Sequence, residues 1–321
     1  MSEFDLIQEY FLPLAGPQGL GLLDDAAHFA APNDMDIILS VDSFVEGIHF
    51  PQGKFDADIA TRLLRVNLSD LAAKAASPRG YLLSLAWPKG RSLKQLKDFC
   101  RGMAQSQEKF GLKLWGGDTV ATTGPVVASI TIIGLAPTGQ SPKRFGAKAG
   151  DDIWLSGYPG KGYLGLEFVE KRDDNALFNE YFYRPEPRLE LKNILRTYAS
   201  ASLDISDGLI ADIGKMANSS HLQAQVDIEK IFFPKMMTEL IKETPKILIE
   251  LITHGDDYEV AFTAHPDYRD DILANAKALD FEVSRIGRCR LGEGVEFCID
   301  GSALKINKAG YDHFSKEKPD Q

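Results

Sequence analysis

Little in this sequence is basic, sulphur-bearing or continuously apolar, and each shortage narrows what the chain can be. Its 36 lysines and arginines face 46 aspartates and glutamates, for a formal net charge of −10. That balance opposes non-specific nucleic-acid binding, which depends on clustered Lys and Arg, so no nucleic-acid partner is expected. No apolar run approaches the roughly 20 residues that a membrane span needs, and no membrane partner is expected either. The opening Met1-Ser2-Glu3-Phe4-Asp5 is acidic and lacks the basic start of a secretion signal. The three cysteines, Cys100, Cys289 and Cys298, are scattered and odd in number. They form neither a metal-ligand spacing nor a disulfide framework, and a reducing cytoplasm is the expected location. Repeats, low-complexity tracts and long charge blocks are missing. A Walker A pattern is missing too, which excludes a P-loop kinase.

What is present is a chain of 321 residues, 44% hydrophobic and 26% charged, which suits two soluble domains rather than one core. Strands and helices alternate, as in an α/β or α+β protein. Residues 3–11 read as a helix with Phe4, Ile7 and Phe11 on one face, and 36–41 as a strand. Residues 58–76 form a strong helix striped by Leu64, Leu68, Leu71 and Ala75. Ser92 is placed to cap a helix that stops at Gly111. Further strands are expected at 81–87, 112–115, 126–135, 153–156, 202–205, 259–263, 283–287 and 295–299, and helices near 188–199, 209–219 and 266–279. Residues 136–150, rich in Pro, Gly, Ser and Lys and without periodicity, mark the expected boundary between domains at 1–140 and 150–321.

Acidic motifs fall where strands end or loops begin: Asp24-Asp25, Asp42 after Ser40-Val41, Asp118 after Gly116-Gly117, and Asp204-Ile205-Ser206-Asp207-Gly208. Asp70 lies within a helix and shares a face with Asn67. Magnesium takes a few carboxylates plus substrate phosphates, so separated aspartates gathered by a fold would suit a metal-bridged polyphosphate. Such cations would also reconcile an acidic protein with anionic substrates. Each motif alone has a plainer reading: Asp beside Gly is common in turns, Asp207 could be a helix N-cap, and Asp70 could pair with Lys74 one turn on. The argument rests on the set. The stretch Gly157–Gly165 matches G-x-G-x-x-G at Gly160, Gly162 and Gly165. Pro159 sits inside it and no ribose-binding acid follows at a strand end, so it reads as a structural turn rather than a dinucleotide fingerprint.

In order along the chain, Asp24–Ala27, Ser40–Asp42, Ile48–Phe50, Val66–Ala73, Gly116–Thr119, Arg144–Asp151, Asp204–Leu209, Gly255–Glu259 and Gly310–Phe314 resemble the motifs of thiamine-monophosphate kinase, within the aminoimidazole ribonucleotide synthetase superfamily. The His49 region and the terminal Gly-Tyr-Asp-His-Phe point to the kinase more narrowly than the shared aspartates do. The resemblance implies an N-terminal α/β domain that pairs with its twin in a barrel-like sheet across a homodimer, and a C-terminal α/β domain. It implies several magnesium ions held by Asp25, Ser40, Asp42, Asp70, Asp118, Asp204 and Asp207, with Asp42 and Asp207 central to catalysis. Gly117, Asp118, Arg144 and Ser206 match ATP contacts; His49, Asp256 and Tyr311 match contacts to thiamine phosphate. The chain departs from the pattern at Leu23, where glycine is usual, at Val41, where threonine is common, and at Asp256, where glutamate is frequent.

The plainer readings of the remaining residues are a partly buried histidine for His49, a chain-end anchor for Tyr311 and a solvated charge for Arg144. The implied reaction moves the γ-phosphoryl of ATP onto thiamine phosphate. The alternatives are another superfamily enzyme, such as an aminoimidazole ribonucleotide or selenophosphate synthetase, and a non-catalytic nucleotide- or metal-binding relative. A selenophosphate synthetase normally carries a reactive residue near its N-terminus, and here the first cysteine is Cys100.

Overall fold

Alternation along the first strand organises the N-terminal half. In the computed structural model, which describes residues 3–24, 26–170, 176–304 and 306, β1 (Met35–Val45) turns Ile37, Leu39 and Val41 to one side and Ser40, Asp42 and Phe44 to the other. The chain divides into two compact units, Met1–Pro142 with Val169–Thr197, and Lys143–Phe168 with Tyr198–Gln321.

In the first unit a short helix α1 (Glu3–Leu6) runs into a π-helical turn, Ile7–Phe11. Four strands, β1, β2 (Ser77–Pro88), β3 (Lys113–Thr122) and β4 (Val127–Pro137), lie in the order β1-β4-β2-β3. The β2–β3 pair is parallel and the other pairs are antiparallel. Helix α2 (Ala57–Ala73) packs on β1, β4 and α3 (Leu93–Phe110). Asp56 caps α2 by accepting from Asp58 N (3.0 Å) and Ile59 N (3.3 Å). The apolar stripe Ile59, Leu63, Leu64, Leu68 and Leu71 is fully buried, each side chain contributing about 2 kcal/mol of transfer free energy. Ser92 caps α3 and Gly111, at φ 66°, ends it, as the sequence predicts. The other face of the sheet stays open, with Ile37, Leu39, Val41, Leu82 and Val120 exposed.

After β5 (Asp152–Ser156) and α4 (Lys161–Glu170), the chain returns to the first unit as α5 (Ala176–Tyr183) and α6 (Lys192–Tyr198). Two buried arginines of α2 hold this return. Arg62 Nη1 donates to the Phe182 carbonyl (2.6 Å), and Arg65 Nη1 donates to Glu186 Oε2 (2.7 Å).

The second unit is built on a seven-stranded sheet in the order β11-β10-β7-β9-β5-β8-β6. Its further strands are β6 (Ala199–Asp204), β7 (Gln223–Asp227), β8 (Val260–Ala264), β9 (Val283–Arg290), β10 (Gly294–Ile299) and β11 (Ser302–Ala303). Among the described residues, β7 and β10 alone pair in parallel in this sheet. The helices are α7 (Leu209–Ser219), α8 (Lys235–Glu243), α9 (Ile247–Thr253) and α10 (Arg269–Ala278). Ile153, Leu155, Leu203, Ile213, Val226 and Ile286 lie at the centre of the core. The mixed α/β architecture matches the expectation from sequence; β7, α5, α8 and α9 were not legible there.

Candidate active site

The side of the first sheet that faces α2 carries the first acidic group. Ser40 and Asp42 project from the same face of β1, and Asn67 and Asp70 project from α2, one turn apart. Ser40 Oγ donates to Asp70 Oδ2 (2.5 Å), and Asp42 N donates to Asn67 Oδ1 (3.2 Å). Burial pushes the Asp42 carboxyl up to about 7, and the neighbouring Asp70, both by its charge and by a hydrogen bond, adds to the shift. Two acidic side chains in contact need either a shared proton or a cation. Magnesium is satisfied by one or two protein carboxylates completed by water and phosphate oxygens, so the chemistry of this pair fits it. Among the described residues, no group of three or more His, Cys, Asp and Glu side chains comes together to hold a metal.

The register separates another predicted ligand from this pair. Asp42 is paired with Ile130, Ile130 with Leu83, and Leu83 with Gly117, so Asp118 falls on the open face of the sheet. There it lines a cavity of about 770 Å³ with Asp24, Gly117, Thr119, Ser84 and Trp115. Asp25 lies outside the described residues. Gly117 has a structural reason to be glycine, since a Cβ there would sit 1.9 Å from the Leu83 carbonyl oxygen. Of the departures near these motifs, Leu23 is exposed, and Val41 projects from the open face, opposite to its neighbour Asp42.

His49 is half-buried on the turn that follows β1. Its Nδ1 accepts from Val45 N (3.0 Å), while the Val45 carbonyl accepts from Ile48 N (3.1 Å) and His49 N (2.9 Å). The imidazole lies parallel to the Phe44 ring, with centroids 5.7 Å apart.

In the second unit the loop after β6 folds around a residue that sequence reasoning missed. Buried Asp212, on α7, accepts from Ser206 N (2.9 Å) and Asp207 N (2.8 Å) through one oxygen and from Lys215 Nζ (2.7 Å) through the other. Lys215 also donates to Asp207, so the Asp207 side chain turns to the lysine, and Gly208 holds the helix N-cap position. Burial raises the Asp212 carboxyl above its ordinary range even beside Lys215. Burial opposes the charge on Lys215, but hydrogen bonds to Asp207 and Asp212 outweigh it and raise the lysine. The one cue in the sequence was the spacing of Asp212 and Lys215 on one helical face.

Asp204, Ser206, Asp207 and Asp256 are brought together by backbone pairing of two loops. Asp256 N donates to the Ser206 carbonyl (2.9 Å), and Tyr258 N donates to the Ile205 carbonyl (2.8 Å). Gly255 permits this approach, since a Cβ there would lie 2.0 Å from the Ser206 carbonyl oxygen. Asp256 (φ 68°) and Tyr258 (φ 52°) both adopt left-handed backbone, which costs energy for residues with side chains, and the Tyr258 hydroxyl donates to Asp256 Oδ1 (2.7 Å). Between them Asp257 is buried and takes the donors of the glycine-rich turn, Gly160 N (2.9 Å) and Gly162 N (3.0 Å). Burial pushes its carboxyl up to about 7 against the pull of these donors. That turn therefore cradles one of the protein's own carboxyl groups, which agrees with its structural reading. Arg144 is exposed on its loop, where its carbonyl accepts from Ser219 Oγ (3.3 Å). Tyr311 lies outside the described residues.

The fold defines a class. Residues 23–136 match the family described as AIR synthase related protein, N-terminal domain. Over 319 residues the chain is 37% identical to the thiamine-monophosphate kinase of Caulobacter vibrioides, covering 97% of this chain and 91% of that protein. The crystal structure of thiamine-monophosphate kinase from Stenotrophomonas maltophilia superposes with a TM-score of 0.81 at 33% identity, covering 95% of this chain and 98% of that one. A further structure, AaThiL complexed with AMPPCP and TMP, has a TM-score of 0.78 at 25% identity over 91% of each chain. The chain belongs to the thiamine-monophosphate kinase family.

Proposed function

We propose that this chain transfers the γ-phosphoryl group of ATP to the phosphate of thiamine monophosphate, giving thiamine diphosphate and ADP. The observation that carries the reading is the full-length likeness to a structure that holds AMPPCP and TMP together. The acceptor is a phosphate monoester with a second pKa of about 6, so it is largely dianionic at neutral pH and needs no general base. What the reaction needs is in-line placement of two anions and neutralisation of the charge between them.

Asp42 and Asp70, with Ser40, form the proposed cation-binding group of the first unit; Asp25 and Asp118 are proposed ligands on its other motifs. Asp204 and Asp207 are the proposed ligands of the second unit. Bound magnesium would supply charge neutralisation at the phosphates. Asn67 fixes the Asp42 backbone, and Ser40 orients the Asp70 carboxylate. Gly117, Arg144 and Ser206 are proposed to contact the nucleotide, and His49, Asp256 and Tyr311 the acceptor. The working form is proposed to be a homodimer that covers Ile37, Leu39, Val41, Leu82 and Val120 on the open sheet face, since large apolar side chains exposed together on one face mark association. A cytoplasmic location goes with this reading, because that compartment keeps the three free thiols reduced.

The test compares acceptors. Thiamine monophosphate should support turnover that stops when EDTA removes divalent cations, and unphosphorylated thiamine should support little. Equal kcat/KM for the two acceptors would refute the acceptor assignment, and full turnover in metal-free buffer would refute the cation.

A further inference from the structure

A closed ring of hydrogen bonds lies beside the turn that carries His49. Gly53 N donates to Glu46 Oε1 (2.7 Å), and Arg91 Nη1 donates to Glu46 Oε2 (2.5 Å). Arg91 Nε donates to Gln95 Oε1 (2.8 Å), and Gln95 Nε2 donates back to the Gly53 carbonyl (2.7 Å). Val126 N adds a fifth bond, to Glu46 Oε2 (3.0 Å), which ties the ring to the β4 end of the sheet. The Glu46 and Arg91 side chains are only 6% and 13% exposed, and the guanidinium lies 5.6 Å from the Trp87 ring centroid. Burying an ion pair adds little net stability compared with apolar packing, because desolvation offsets the attraction. Arg91 Nη2 is buried without a partner, so the ring is closed through Nη1 and Nε alone. What such a closed ring does supply is a single geometry.

The segment held in that geometry is the His49 turn. Glu46 stands between Val45, which bonds His49 through both its N–H and its carbonyl, and Gly47, whose φ of 81° reverses the chain. Val45 N donates into Nδ1, so the neutral imidazole carries its proton on Nε2. A phosphate oxygen accepts from N–H, and a dianionic acceptor needs a donor rather than a base. We propose that Glu46, Arg91 and Gln95 are positioning residues that hold the 45–53 turn so that His49 meets the acceptor phosphate as a neutral Nε2–H donor. The inference rests on the acceptor role proposed for His49.

The experiment is nitrogen NMR of the full-length labelled protein, with His49 assigned from its loss in His49→Gln, together with saturation kinetics. Wild type should show the Nε2–H tautomer alone. Arg91→Met should lose that single tautomer and raise the KM for thiamine monophosphate about tenfold, the scale of one hydrogen bond to a charged group, with the KM for ATP unchanged. Arg91→Lys keeps a charge beside Glu46 but cannot bond Glu46 and Gln95 in one plane, and should restore binding only in part. Gln95→Leu leaves the ion pair in place and should show the same changes should Arg91→Met fail to fold. A single Nε2–H tautomer persisting in these variants overturns the proposal. So does a parallel change in both KM values with a lowered melting temperature, which is the signature of a merely structural role. A tautomer change with no change in the acceptor KM also overturns it; if His49→Gln is equally without effect on that KM, the fault lies in the acceptor role of His49 rather than in the ring.

Discussion

Asp42 shows how one carboxylate serves two masters. It is held against Asp70 by the β1–α2 packing, and that closeness disfavours its charge until a cation arrives. Asp42→Asn removes a like charge from the pair without removing volume, so the variant should melt no lower than wild type in chelated buffer. Its kcat should nevertheless fall by about a hundredfold or more, the usual scale when a group that stabilises transition-state charge is lost. Asp207→Asn should lose activity on a similar scale, although Lys215 keeps a hydrogen-bonding partner in Asp212. Near-normal kcat in either variant at saturating magnesium would remove that residue from the site. At this scale the sequence brought forward Ser40, Asp42 and Asp70, which the structure sets side by side. It offered only the Lys215 spacing for Asp212 and was silent on Glu46 and Arg91, because most of their partners are backbone N–H groups and distant side chains that no local spacing announces.

Among the elements, those with their own periodicity or caps were the legible ones. Helix α3 was recognisable from Ser92 and Gly111, and α2 from its leucine stripe, since both signals are local. Strand β7 escaped because its partners, β9 and β10, come much later in the chain, and a five-residue strand has little pattern of its own. Helices α8 and α9 follow Pro234 and a Thr-Pro pair and are short, so tertiary packing decides them more than propensity does. The turn between β1 and α2 was seen only as a motif around His49; its Glu46 anchor depends on Arg91 from a separate loop. Burial works against ionised Glu46, but Arg91 and the N–H groups of Val126 and Gly53 outweigh it and lower its pKa. A folded value below the unfolded one means that this group stabilises the fold above the ordinary glutamate range, and that the contribution disappears as pH falls through the folded value. Melting temperatures taken between about pH 6 and 3 should therefore decline less steeply in Glu46→Gln than in wild type. Parallel declines would mean that the carboxylate contributes nothing to the turn.

The whole molecule combines two compact units, and one face of the first unit's sheet exposes Ile37, Leu39, Val41, Leu82 and Val120 beside the Asp118 cavity. The mixed α/β class followed from alternation of elements, but the open face did not, because only the register shows that Leu39, Val41, Leu82 and Val120 stand on the same side. Sedimentation at micromolar concentration should report a dimer, and Leu39→Lys, which sets a charge in the middle of that face, should shift it towards monomer. A wild-type protein that sediments only as monomer would contradict the proposed pairing. The central claim is direct transfer between two phosphates, and its most direct measurement follows a radiolabel placed in the γ-phosphate of ATP. Incubated with unlabelled thiamine monophosphate and magnesium, the protein should place the label in the terminal phosphate of thiamine diphosphate, one for each ADP formed. Label recovered as inorganic phosphate, with no labelled thiamine diphosphate, would contradict the account.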